Sequence, residues 1–250
     1  MNKRFNITGL CVSEYHYMVD ITERLEKIKA MIDRGDYFVI NRGRQYGKTT
    51  TLNALRKYLS DSYYVVSMDF QRQMSSAKFK DEHSFSVAFV KAFIDSLNRN
   101  DCPDHILPAI NELKGIIDED LDLVELFLNL SKFCGALERP IVLMIDEVDQ
   151  ASNNQVFLDF LAQLRGYYLD RFESPTFRSV ILAGVYDVRN LKLKIREDIE
   201  HKQNSPWNIA VDFNIDMSLG ADGIAGMLND YAKEHEESID TITIAQIIYD

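Results

Sequence analysis

The chain has 250 residues, of which 46% are hydrophobic and 27% charged, so it can fill a large core and is not a disordered chain. Its net charge of −11 argues against a protein that coats duplex DNA, although a local basic groove stays open. Three scattered cysteines without a Cys/His cluster argue against a disulfide framework and a zinc site. The sequence has no apolar run long enough for a membrane span and no signal peptide. These features favour a cytoplasmic location.

Apolar runs alternate with helical patterns along the chain, which is typical of an α/β sheet with crossover helices. Strands are predicted at 37–41, 63–70, 141–145, 179–185 and 208–213. Helices are predicted at 20–34 and 48–59, two or three times within 83–137, at 154–172, and twice from about 220 with a break near Ser238. Asp20 with Glu23 resembles a capping box for the first helix, and Gly35 is its expected end.

The chain is divided by these patterns into three parts. They are an N-terminal flank and helix (1–35), a core (36–217), and the start of a helical lid (218–250). The last predicted helix stops at Asp250 without a cap or a polar tail, so we expect the lid to be cut short there.

Residues 41–51 (NRGRQYGKTTT) lie between a predicted strand and a predicted helix. A turn that contains glycine, at the start of a helix, directs backbone N–H groups and the helix dipole at a phosphate chain. Gly47 would permit close approach, Lys48 would reach the β- and γ-phosphates, and the Thr49 hydroxyl would bind Mg²⁺. The predicted nucleotide-binding residues are Arg42, Gly43, Arg44, Gln45, Tyr46, Gly47, Lys48, Thr49 and Thr50.

This loop departs from the usual phosphate-binding pattern of Gly, four residues, then Gly-Lys-Ser/Thr. The first glycine is due at position 42, where the chain has Arg42, and Gly43 comes one residue late. The turn after the strand must therefore differ in detail. The positive charges of Arg42 and Arg44 are candidates to compensate. The alternative is a simple turn before a helix.

A second motif lies about 100 residues later, where five apolar residues end in Asp146-Glu147. A buried strand delivers such carboxylates to the edge of a parallel sheet, beside the phosphate loop. Asp146 would hold Mg²⁺, and Glu147 would orient and deprotonate the attacking water as a general base. Asp149 would cap the following helix, and Asp69, at the end of the second strand, is a candidate to support the magnesium shell. The alternative is a buried strand that meets a polar turn.

These two motifs and several short segments resemble the AAA-ATPase-like proteins of bacteria and archaea, P-loop proteins near the archaeal ATPases and the STAND signalling NTPases. The matching segments are 17–20, 35–38, 41–49, 145–149 and 205–210, within a resemblance that covers most of 15–235. Relatives often carry an Arg-Pro-Arg-Arg/Gln-aromatic-Gly-Lys loop, which makes Arg42 usual for the group. The resemblance implies a P-loop NTPase three-layer sandwich, with a mostly parallel sheet of order 5-1-4-3-2 and a lid.

The resemblance also implies a residue that senses the γ-phosphate at the end of the fourth strand, usually Asn, Thr or Ser. The sequence offers only Tyr186 and Asp187 near that place. Arg178, Arg189 and Arg196 are candidates for an arginine that acts across a subunit interface.

Three functions stay open: an ATPase that uses Mg²⁺ and drives a conformational change, a nucleotide-gated switch with slow turnover, and an ATP-dependent subunit of a nucleic-acid-handling complex. Expected partners are ATP and a second copy or another protein at the lid.

Overall fold

The fold is built on four parallel strands. The computed structural model describes residues 3–7, 9–43, 45–99, 103–117, 120–185 and 207–249. The strands are β1 (Phe38–Asn41), β2 (Tyr64–Asp69), β3 (Ile141–Asp146) and β4 (Ser179–Gly184). They lie in the order β1-β4-β3-β2, and every neighbouring pair is parallel. All the carboxyl ends therefore meet at one edge, here called the carboxyl edge, and the amino ends meet at the opposite amino edge.

The predicted fifth strand is reduced to a single bridge, so the sheet differs in detail from the expected order 5-1-4-3-2. Val211 pairs with Phe38 on the free side of β1, and its N–H donates to the Tyr37 carbonyl at 2.9 Å. Beyond Val211 the carbonyls of Phe213 and Ile215 accept from the Arg42 guanidinium at 3.2 and 3.5 Å. Among the described residues the ladder does not continue past this bridge, and these two carbonyls bond to a side chain instead of to a strand.

Nine α-helices lie within the described part of the chain. They are α1 (Thr22–Arg34), α2 (Lys48–Leu59), α3 (Phe70–Gln73), α4 (Glu82–Asn98), α5 (Leu107–Gly115), α6 (Leu123–Gly135), α7 (Gln155–Leu169), α8 (Ala221–His235) and α9 (Thr241–Tyr249). Short 3-10 turns lie at Ser76–Phe79, Asp104–Ile106 and Val148–Gln150. None of the described helices is long and apolar enough to cross a bilayer.

Polar side chains fix several helix ends. The Asp81 and Asp122 carboxylates accept from backbone N–H groups at the starts of α4 and α6, at 2.7 and 2.8 Å. Gly35 ends α1 in the left-handed region, with φ 81°. The predicted capping box of Asp20 and Glu23 does not form: Asp20 accepts from the backbone and hydroxyl of Thr22, Glu23 pairs with Lys27, and Ile21 is the N-cap of α1.

Alternate residues of the strands point to opposite faces, and each face has its own core. One core holds the phenylalanines of α4, α6 and α7 against Val66, Leu143 and Leu182. The other packs α1 and α2 against Val65 and Ile181. Helices therefore cover both faces of a parallel sheet, as the predicted three-layer architecture requires.

Candidate functional site

The phosphate loop (residues 41–49) leaves β1 at the carboxyl edge and enters α2. Gln45 and Gly47 both have positive φ angles, 68° and 70°. A residue with a left-handed backbone conformation turns successive backbone N–H groups towards one concave side of the loop. Such a concave side can bind an anion. Gly47 directly precedes α2, so the start of that helix faces the loop.

Lys48 lies inside this loop. It is the first residue of α2 and only 7% exposed. Its Nζ donates to the carbonyls of Arg42 and Gly43 at 2.8 and 2.9 Å. A buried ammonium needs such partners. The contacts fix its charge at the concave side of the turn, where the phosphates of a nucleotide would lie.

The displaced glycine has a local cause. A Cβ at Gly43 would lie 3.3 Å from the ring of Tyr46, which is tighter than ordinary van der Waals contact. Glycine at position 43 therefore makes room for the aromatic ring in the loop. The Tyr46 side chain is itself about half exposed, and Thr50 is partly buried in the first turn of α2.

The guanidinium of Arg42 turns away from the loop. It donates to the Asn41 carbonyl at 3.1 Å and to the Phe213 carbonyl, and it lies over the Phe213 ring at 5.7 Å. Its side chain therefore holds the segment beside β1, and only its backbone carbonyl meets Lys48. Arg44, the other candidate for compensating charge, lies outside the described residues.

Thr49 and Asp146 come together although they are far apart in sequence. The Thr49 hydroxyl donates to Asp146 Oδ2 at 2.7 Å, and the other carboxylate oxygen accepts from the backbone N–H of Glu147 at 3.0 Å. Asp146 is the last residue of β3 and is 7% exposed. A hydroxyl and a carboxylate are the hard oxygen ligands that Mg²⁺ prefers.

Glu147 follows in a left-handed conformation, with φ 55°. Burial raises the pKa of its carboxyl, and the nearby negative charge of Asp146 raises it further, while the Lys48 ammonium lowers it. A non-glycine residue in this region is strained, and such strain often occurs at functional sites. A carboxylate with a raised pKa is the better proton acceptor.

The side chain of Asp149 reaches the end of β4 instead of capping a helix. Its Oδ2 accepts from the Val185 N–H at 2.6 Å, and a Cβ at Gly184 would lie 2.9 Å from its Oδ1. Asp149 therefore ties the turn after β3 to the next strand. A signal for this contact was present in the sequence, since a glycine at the end of a buried strand leaves room for a neighbouring side chain.

Of the other candidates, Arg178 lies away from this site, and Asp69 lies beside it but bonds to other groups. Arg178 precedes β4 at the amino edge, where its guanidinium donates to the carbonyls of Ile32 and Asp33. Asp69 ends β2 beside Asp146 in register, but its carboxylate caps α3 and pairs with Arg72 at 2.7 Å. The remaining sequence candidates lie outside the described residues: Tyr186, Asp187, Arg189 and Arg196.

Comparison with known proteins gives structural likenesses only. No protein-family model and no curated protein matches the chain. A Walker-type ATPase of Pyrococcus abyssi has a similar structure, with a TM-score of 0.58 and 13% identity, over 97% of this chain and 65% of that one. The chain thus spans less than two thirds of the length of that protein.

Two further solved structures are more distant. They are Cdc6p from Pyrobaculum aerophilum (16% identity, 86% of this chain, 49% of that one) and the Aeropyrum pernix Orc1 protein in complex with DNA (12%, 87% and 50%). Both have a TM-score of 0.48, too low to define a fold. The likeness to the Pyrococcus abyssi protein agrees with the four-stranded sheet and its two helical layers. The chain therefore shares an α/β fold, a parallel sheet between helical layers, with that protein, which confirms the predicted fold class, although the order of the strands differs in detail from the expected one.

Proposed function

We propose that the chain binds ATP with Mg²⁺ in the phosphate loop and hydrolyses it, and that hydrolysis drives a conformational change. The observation that carries this proposal is the 2.7 Å contact between the Thr49 hydroxyl and Asp146. These two residues come from motifs about 100 positions apart, and either alone is only a turn or a strand end. Their contact brings a hydroxyl and a carboxylate, two groups that suit Mg²⁺, together at the start of α2.

The proposed roles follow from position. Thr49 and Asp146 would hold Mg²⁺, which supplies positive charge to the β- and γ-phosphates when bound. No cluster of three or more His, Cys, Asp or Glu side chains that could hold a metal occurs in the described ranges. Mg²⁺ takes few protein ligands and keeps waters and phosphate oxygens, so two side chains are enough for the proposed site. Lys48 would bind the phosphates, and Glu147 would take a proton from the attacking water.

A nucleotide-gated switch with slow turnover is the second candidate. Residues 179–185 (SVILAGV) carry no Asn or Thr at the end of β4, where the resemblance places a γ-phosphate sensor. The only Ser of this stretch, Ser179, begins the strand at the amino edge. The two sensor candidates Tyr186 and Asp187 follow this stretch and lie outside the described residues, and a site in which neither acts as a sensor would bind ATP but respond weakly to its γ-phosphate. The two candidates differ only in turnover rate.

The test measures ATP binding by calorimetry with Mg²⁺, together with phosphate release. Lys48→Ala should weaken ATP binding at least about 100-fold, because several charge-assisted hydrogen bonds are lost. Glu147→Gln should keep ATP binding and lower turnover by about 10²–10⁴-fold, the usual contribution of a general base.

Two exposed residues of α1 provide controls, because Lys27→Ala and Glu26→Gln make the same changes at positions outside the loop. Both should behave like the unchanged protein. ATP binding with no measurable turnover in the unchanged protein would favour the switch. Binding that survives Lys48→Ala would contradict the assigned site.

A further inference from the structure

The side chain of Arg42 joins the phosphate loop to the segment that leads into α8. This segment, here called the connecting segment, comprises residues 213–218. Arg42 Nη2 donates to the carbonyls of Phe213 and Ile215 at 3.2 and 3.5 Å. Its Nη1 donates to the carbonyl and the side-chain oxygen of Asn41, at 3.1 and 3.3 Å. One guanidinium therefore contacts both the first residue of the loop and the connecting segment.

Packing does not fill the space between the end of β1 and the connecting segment. A cavity of about 180 Å³ lies there, and Val39, Arg42 and Val211 are among the residues that line it. The apolar side of the segment is fixed, since Phe213 and Met217 are 6% and 2% exposed in the core under α1 and α2. On its polar side the backbone carbonyls face the guanidinium. The hydrogen bonds of Arg42 therefore span a space that is not closed by packed side chains.

The backbone of the same arginine meets the residue that is predicted to bind phosphate. Lys48 Nζ donates to the Arg42 carbonyl at 2.8 Å, and Lys48 is the first residue of α2. The carbonyl and the guanidinium of Arg42 thus connect the start of α2 with the connecting segment. A glycine, which is usual at this position, would supply the carbonyl but not the guanidinium. The departure from the usual loop pattern therefore adds a contact outside the loop.

A second arginine holds the connecting segment from α1. Arg24 Nε and Nη2 donate to the carbonyls of Asp216 and Ser218, at 3.1 and 2.9 Å. Hydrogen bonds from Ser218 lower the pKa of the Asp216 carboxyl, and the charges of Arg24 and Arg42 lower it further, so both arginines lie near one carboxylate. The two arginines make the same kind of contact with one segment, but Arg24 lies on α1 and Arg42 lies in the phosphate loop.

We propose that Arg42 is a positioning residue that couples the phosphate loop to α8 through the connecting segment. A phosphate chain bound by Lys48 restricts the loop, and the Arg42 guanidinium passes this restriction to the carbonyls of Phe213 and Ile215. Because coupling between two sites is reciprocal, a change at the connecting segment alters the affinity of the loop for ATP in turn. This inference rests on the proposed function, since it describes how the proposed ATP site is regulated.

The test measures amide hydrogen exchange in the whole chain by mass spectrometry, first without nucleotide. The readouts are the backbone amides at the start of α2 (51–54) and at the start of α8 (224–227). Arg42→Gln should speed exchange about fivefold or more at both helix starts, because it frees the connecting segment and loosens the carbonyl that holds Lys48. Arg24→Gln is the matched control. It should speed exchange at the start of α8 and leave the start of α2 unchanged.

The second measurement adds ATP with Mg²⁺, at a concentration that calorimetry shows to be saturating for each variant. In the unchanged protein ATP should slow exchange at both helix starts by about threefold or more. In Arg42→Gln the slowing should persist at α2 and be lost at α8. In Arg24→Gln it should persist at both. Lys48→Ala should lose both effects, because ATP binding is lost.

Arg42→Lys serves as a second variant in case Arg42→Gln does not fold. It keeps the charge, but an ammonium cannot replace the planar fork that reaches several carbonyls, so the same pattern is expected at smaller size. The proposal is overturned if Arg42→Gln leaves exchange at α2 unchanged, if ATP slows exchange only at α2 in the unchanged protein, or if the slowing at α8 persists without Arg42. ATP that gives no heat and changes neither helix contradicts the proposed function instead, and the measurement without nucleotide then decides the coupling alone.

Discussion

At the scale of single residues, Asp149 connects the part of the chain that carries Glu147 to the end of β4. Glu147 has a strained backbone, and the two peptide units that follow it lead to Asp149. The Asp149 carboxylate accepts from the Val185 N–H at 2.6 Å. Because the turn is held at both ends, by Asp146 and by Asp149, the position of Glu147 is set by contacts outside its own side chain.

Asp149→Ala should lower stability by about 1–3 kcal/mol, since the partly buried Val185 N–H loses a charged acceptor. Urea unfolding measures this change. The same variant should lower turnover more than ATP binding, because the displaced group is Glu147 and not the phosphate loop. Asp149→Asn keeps an acceptor oxygen and should have the smaller effect. Equal losses in Asp149→Ala and Asp149→Asn would mean that the charge, and not the hydrogen bond, is what matters.

The sequence predicted that the two motifs meet, but it did not predict the directions of all their side chains. Phosphate and metal chemistry demands the types and spacing of Lys48, Thr49 and Asp146, so their proximity could be predicted, while their roles stay predictions. The direction of Arg42 could not be found, because it depends on carbonyls that only the tertiary fold brings near. Asp149 was misjudged for the same reason: its partner is on another strand.

At the scale of elements, the N-terminal flank is joined to α8 by a small polar and aromatic contact. The Tyr17 hydroxyl donates to Glu234 at 2.6 Å, and the Tyr17 ring lies near those of Phe5 and Tyr231. Burial, and then the Glu234 carboxylate, raise the pKa of Tyr17 to about 12, so its hydroxyl keeps the proton that it donates. This contact links the flank to the first helix of the expected lid, and the boundary of that lid stays a prediction.

Tyr17→Phe should increase amide hydrogen exchange in residues 3–17 and in the last turn of α8, measured by mass spectrometry at pH 7. The hydrogen bond from Tyr17 is the main cause that lowers the pKa of Glu234. The stabilisation by this hydrogen bond is therefore fully present at a pH above the ordinary pKa of glutamate. It is lost as the pH falls through the lowered pKa of Glu234 in the folded protein. After correction for intrinsic exchange, the Tyr17→Phe variant and the unchanged protein should have the same exchange rates in that acidic range. Unchanged protection at pH 7 would show that the rings alone hold the flank.

Most elements could be predicted because the apolar periodicity is strong. The four strands and every helix except the short α3 lie where the patterns placed them, within a few residues. The segment 208–213 was the exception, since its apolar pattern is that of a strand but its later carbonyls bond to Arg42. A hydrogen bond from a side chain that is distant in sequence cannot be recognised from the local pattern of apolar residues.

At the scale of the whole molecule, the core on one face of the sheet depends on packed aromatic rings. Phe160 is fully buried, and its ring centroid lies 5.0–5.4 Å from those of Phe85, Phe89 and Phe127. These three rings come from α4 and α6, so Phe160 on α7 joins three helices. Phe172, three positions after the end of α7, is 87% exposed.

Phe160→Ala should lower the free energy of unfolding by about 3–5 kcal/mol, the cost of lost burial plus a cavity. Phe172→Ala removes the same group from the surface and should change the free energy of unfolding by no more than about 0.5 kcal/mol. Urea unfolding of the two variants gives the comparison. A loss below about 1 kcal/mol in Phe160→Ala would mean that neighbouring rings close the gap, and that this core is less rigid than its ring contacts indicate.

The position of β1 in the sheet has a consequence for synthesis on the ribosome. Phe38 pairs with Ile181 and Val211, so the strand that leads into the phosphate loop finds its neighbours only about 140 residues later. At usual translation rates this delay is on the order of ten seconds. A nascent chain that stops before β4 leaves an apolar strand without a partner and the loop without its support. The proposed nucleotide site thus forms late in translation, after nearly all of the sheet has emerged.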